Sequence, residues 1–132
     1  MIKGYDKIVV VTKQTALEEL IEQYNTVDQA RFYIEHMGGS FDWYESAHKA
    51  YRDSVEALRK AVPREVRSQW IERSFLPTFT FGANDLIVTL GQDGLVVNTA
   101  KYLNRQPLLA FNPDPERVDG LLSALLADAA TH

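Results

Sequence analysis

The chain has 132 residues, 45% of them hydrophobic and 24% charged, with a formal net charge of −4 and no cysteine. This length suits one domain with its own core, and the composition excludes a disordered or collagen-like chain. The acidic balance excludes a sequence-wide attraction to nucleic acid or anionic membrane, and the lack of cysteine excludes disulfides and thiolate metal sites.

The opening MIKGYDKIVVVTK has too short an apolar core for a signal peptide, and no window is apolar over a bilayer-spanning length. A cytoplasmic protein without membrane or nucleic-acid partners is expected. Ile8 to Val11 is a β-branched run without alternation, which predicts a strand buried on both faces at the centre of a parallel sheet. After Lys13-Gln14-Thr15, Leu17, Leu20, Tyr24, Val27 and Ile34 form a helical stripe that ends at Gly38-Gly39. Thr26 and Gln29 have the spacing of a capping box, so one helix or two fits this stretch equally.

Ser40 is placed as an N-cap, and Phe41, Tyr44, Tyr51, Val55, Leu58 and Val62 form a second stripe, shared by His48 and closed by Pro63. The expectation is an antiparallel helical hairpin over about residues 16–62, with a stripe wide enough to serve a partner as well as the sheet. Val66, Trp70 and Ile71 predict a shorter helix over 64–75, and Pro77 to Gly82 an extended approach. The rest is expected to be a βαβ core over 85–129: strand 86–90, helix 95–103, strand 107–111 and helix 115–129.

The strand ending at Leu90 runs into Gly91-Gln92-Asp93-Gly94 and then into a helix. In a parallel sheet this corner lies at the carboxyl ends of the strands, where ligands bind. Glycine lets backbone approach a phosphate, and the first amides of a helix attract an anion. Asp93 there can hold a magnesium-bound phosphate through water, accept a hydroxyl proton, or bond a ribose hydroxyl. The plainer alternative is that Asp93 N-caps the helix and the glycines only make the turn. Lys13 and Thr15 follow the first strand at the same edge, as phosphate contacts or as a polar turn and cap. His48 is read as a helix-interface histidine bonded to a Tyr or Glu rather than a ligand, with no metal-binding spacing to His36 or His132. The aromatic stripe of Phe41, Tyr44 and Tyr51 is read as core or dimer interface rather than a base-stacking platform.

The run DLIVTLGQDGLVVNTAKYLNRQPLLAFNPDPERVDG resembles the nucleotide-binding half of the NAD kinase family, related to diacylglycerol and sphingosine kinases, whose signature is Gly-Gly-Asp-Gly-Thr. Gly91, Asp93 and Gly94 match it, while Gln92 replaces the second glycine and Leu95 the threonine. Atypical bacterial members carry the Gly-Gln-Asp-Gly form. The resemblance implies an α/β, three-layer, parallel-sheet Rossmann-like N-terminal domain, here with the helical hairpin inserted. It also implies ATP and magnesium as ligands and NAD as acceptor, with Asp93 acting on the acceptor hydroxyl or its metal-phosphate surroundings. Gly91, Gln92 and Gly94 would line the nucleotide pocket, and Asn112 and Asp114 would lie near the adenosine part. The family's second, β-rich domain has no counterpart in residues 1–132, so this chain is expected to be a single nucleotide-binding domain, inactive alone.

The alternative is a non-catalytic α/β module that homo-oligomerises through the helical hairpin. A dinucleotide-binding dehydrogenase or methyltransferase fits poorly, because Thr12-Lys13-Gln14-Thr15 after the first strand contains no glycine.

Overall fold

The structure is a computed structural model and describes residues 4–114. Its elements in chain order are β1 (Lys7–Thr12), α1 (Ala16–Tyr24), α2 (Val27–His36), α3 (Phe41–Ala61), β2 (Ser68–Glu72), a 3-10 segment (Arg73–Thr78), β3 (Asp85–Leu90), α4 (Asp93–Ala100) and β4 (Leu108–Phe111). The expected helix over 115–129 lies outside the described residues. The strands form one sheet in the order β2-β1-β3-β4, and every pairing is parallel. The protein is therefore an α/β chain with a four-stranded parallel sheet and helices on both faces.

Alternate residues of the central strands supply the two faces. Ile8, Val10, Leu86, Val88 and Leu90 pack under α3 through Tyr51, Val55, Leu58 and Ala61. Val9, Val11 and Ile87 turn the other way, onto Leu76 of the 3-10 segment and Leu95 of α4. Because β1 and β3 are covered on both faces, their sequences show no alternation. Two buried hydroxyls, of Thr89 on β3 and Thr99 on α4, have no hydrogen-bond partner among the described residues.

The segment over 64–75 corrects the sequence expectation. It holds an edge strand, not a helix: Trp70 pairs with Val10 and joins the α3 face, while Ile71 pairs with Val11 and joins the opposite one. Ser68 and Gln69 are exposed, so the strand lacks the continuous apolar run that marks a buried one, and Trp70-Ile71 reads equally as part of a helical stripe.

The expected hairpin is also revised. Asn25, at φ 73°, ends α1, and Thr26 starts a separate α2 by accepting the Gln29 N–H at 3.1 Å. Ser40 occupies the N-cap position of α3 without a side-chain bond. At 21 residues, α3 is about 32 Å long, whereas the six-residue strands reach only about 20 Å. Its C-terminal half covers the sheet, and its first turns project past the carboxyl edge. There Phe41 packs with Leu17, Ala30 and Ile34 of α1 and α2 in a separate small core. The Tyr51-Val55-Leu58 stripe is thus consumed by the sheet and is not spare surface for a partner.

At the opposite edge, buried Asp85 ties the amino ends of β1 and β3. It pairs with Lys7 at 3.2 Å and accepts the Gly82 N–H at 2.7 Å. Asp85→Ala leaves both donors without their acceptor, and we expect a loss of about 3 kcal/mol in urea unfolding.

Candidate functional site

All four strands end on one edge, so residues 13–15, 73–74, 91–94 and 112–114 gather there. The chain leaves β1 toward β2 on one side and leaves β3 toward β4 on the other, which puts the reversal of strand order between β1 and β3. In open α/β sheets the ligand crevice lies at this switch point.

One side chain spans that point from above. Tyr51 of α3 donates its hydroxyl hydrogen to the Leu90 carbonyl at 2.7 Å and accepts the Lys13 N–H at 3.0 Å. It thereby joins the last residue of β3 to the first residue after β1. Burial pushes its phenol up to about 12; the Lys13 hydrogen bond opposes this, the Glu18 and Glu72 carboxylates add to it, and Arg52 pulls it back. Nothing in the sequence marked Tyr51 beyond its place in an aromatic stripe.

Beyond Leu90 the chain turns at Gly91, whose N–H donates to the Phe111 carbonyl at 3.0 Å. A Cβ on Gly91 would lie 2.8 Å from Leu95 Cδ2, so a side chain here would have to displace the tip of Leu95. Gln92 is extended, at φ −98° and ψ −175°, and no corner residue needs a positive φ. The replacement of glycine by Gln92 therefore carries no backbone strain. Gln92 is itself the N-cap of α4 and provides no side-chain bond to the first turn. Asp93 is the first helical residue, exposed, and not the cap that the plainer alternative assigned to it. Gly94 is exposed as well, with nothing within 4 Å of an added Cβ. The Gly91–Phe111 bond brings exposed Asn112 and half-buried Asp114, just after β4, to the edge beside this corner.

Lys13 and Thr15 are placed differently. Thr15 is buried and caps α1: its hydroxyl accepts the Glu18 N–H at 3.2 Å while Glu18 accepts the Thr15 N–H at 3.1 Å. His48 Nδ1 lies 2.9 Å from the Thr15 hydroxyl and 3.9 Å from Glu18, so the histidine joins α3 to α1 at their interface. Lys13 lines two clefts, of about 300 Å³ and about 320 Å³, that also share Gln14 and Glu72. Both lie on the β2 side of β1, and neither includes Gly91 to Gly94. A larger cleft of about 570 Å³ lies at the amino edge, between Phe79–Ala83 and Lys101–Gln106.

Among the described residues, no three His, Asp or Glu side chains converge as if to hold a metal ion. Asp93 alone offers one exposed carboxylate, which fits a magnesium ion held mainly by phosphate and water. No helix among the described residues is long and apolar enough to cross a membrane. No family model matches the chain, and neither a curated protein nor a solved structure is significantly similar to it.

Tyr51→Phe keeps the ring and strips the Leu90 carbonyl and the Lys13 amide of their partner, so it should cost about 1–3 kcal/mol in urea unfolding at neutral pH. The folded phenol lies at about 12 against 10.0 for a free one, so its contribution is complete below pH 10 and is lost as pH rises through 12. Over that window the wild-type chain should lose stability more steeply than Tyr51→Phe.

Proposed function

We propose that the chain is the nucleotide-binding domain of an NAD-kinase-like phosphotransferase, binding ATP with magnesium at the Gly91–Gly94 corner. The observation that carries this reading is the uncapped first turn of α4, presented with the exposed Asp93 carboxylate beside the switch point of a parallel sheet. Gly94 supports it, because its position has room for a side chain and an ordinary φ. A residue that neither packing nor torsion requires to be glycine, in a helix turn without a side-chain cap, suits a phosphate approaching the backbone.

In this reading the γ-phosphoryl group passes to a hydroxyl of the acceptor, NAD by the resemblance. The α4 amides bind and orient the phosphates, and Asp93 holds the acceptor hydroxyl and receives its proton as the new P–O bond forms. Magnesium supplies neutralisation of phosphate charge. Asn112 and Asp114 stand on the β4 side, where they would meet the nucleoside.

The second reading, a non-catalytic homo-oligomer, is favoured by exposed apolar side chains at the α2–α3 corner: Phe32 is 70% exposed, Met37 68% and Trp43 61%. If those residues carry self-association, Phe32→Asp lowers the molecular mass seen in sedimentation equilibrium and leaves the circular dichroism spectrum unchanged.

Calorimetric titration of the chain with ATP and magnesium, then with NAD, tests the first reading. Saturable binding is expected, weakened at least about ten-fold by Asp93→Asn through loss of a charged contact. Heat that the substitution leaves unchanged, or no heat from a folded chain, overturns it.

A further inference from the structure

We infer that the cleft between α3 and the carboxyl ends of β1 and β2 is a second anion site, which takes a compact phosphate monoester or inorganic phosphate. Lys13, Arg52 and Arg59 line it, against Glu18 and Glu72. The five charges are not equally available. Glu18 accepts the Thr15 N–H and lies near His48, and Glu72 accepts both the N–H and the hydroxyl of Ser74. Arg59 pairs with Glu56 at 3.8 Å. Lys13 and Arg52, by contrast, form no salt bridge among the described residues. Both carboxylates accept hydrogen bonds from neutral donors and keep their charge, so the lining carries three cations against two anions, with Lys13 and Arg52 the cations outside a salt bridge.

Lys13 and Arg52 together are suited to a phosphoryl group: the lysine ammonium acts as a point charge and the guanidinium as a two-pronged donor. The backbone that carries Lys13 is fixed, since its N–H is held by the Tyr51 hydroxyl. Trp70 is the one aromatic surface on which a base would stack from the β2 side, and the Arg59 guanidinium already lies 4.4 Å from its ring centroid. The cleft therefore suits a small ester without a nucleobase. None of its lining residues belongs to the Gly91–Gly94 corner, so this site does not depend on the proposed nucleotide site.

The test is an NMR titration of the full chain with inorganic phosphate, glycerol 3-phosphate and AMP, repeated on Lys13→Met, Arg52→Met and Asp93→Asn, each checked for folding by circular dichroism. Phosphate or glycerol 3-phosphate is expected to shift the Lys13, Gln14 and Arg52 signals saturably. Lys13→Met and Arg52→Met should each weaken binding at least about ten-fold, and Asp93→Asn should leave it unchanged. If glycerol 3-phosphate binds more tightly than inorganic phosphate, the occupant is an ester; the reverse order identifies the free ion. The proposal is overturned by the absence of saturable shifts, by binding that survives both cation substitutions, or by AMP binding at least ten-fold more tightly than either compact anion.

Discussion

The hydroxyl of Tyr51 ties the last residue of β3 to the first residue after β1. Its two hydrogen bonds, to the Leu90 carbonyl and from the Lys13 amide, satisfy backbone groups that leave the sheet ladder at the point where strand order reverses. Backbone groups buried there without a partner would be costly, and water reaching them would open the crevice between β1 and β3. Tyr51 replaces that water with a group anchored on α3. The turn at Gly91 and the loop at Lys13 thus have their starting positions set by one side chain.

That arrangement follows from the length of α3. A helix that only needed to recross the sheet would match the strands, but α3 overshoots the carboxyl edge, and its extra turns require their own apolar cover. The short helices α1 and α2 supply it through Leu17, Ala30 and Ile34. The edge that carries the candidate sites is consequently walled on the α3 side by a second small core. Tyr51 lies where the sheet core under α3 gives way to that second core.

Along the edge, the two candidate sites differ in what presents the positive field. At the Gly91–Gly94 corner it is backbone: an extended Gln92, a tight approach of Leu95 to Gly91, and helix amides with no side-chain cap. At the β1–β2 side it is side chain: Lys13 and Arg52, which form no salt bridge among the described residues. Backbone donors hold a fixed geometry, whereas long cationic side chains adapt. Lys13 belongs to the second set, although its place after β1 suggested the first.

The sequence by itself determined the strands buried on both faces. The runs at 8–11 and 86–90 are buried at every position and apolar but for Thr89, because both faces are covered, and that leaves an unambiguous pattern. It also marked the corner at Gly91, whereas at Thr26 the capping-box spacing left one helix or two open and the structure has two. Only the tertiary structure decided the rest. The edge strand β2 has one partner strand and exposed Ser68 and Gln69, so its pattern matched a helix as well as a strand. The stripe of α3 announced burial without saying against what, and the sheet, rather than a second copy, proved to be the partner. Tyr51, Lys13 and Arg52 acquire meaning only when residues about forty positions apart are brought together, because hydrogen bonds and charge pairs depend on distance in space, which periodicity along the chain does not encode.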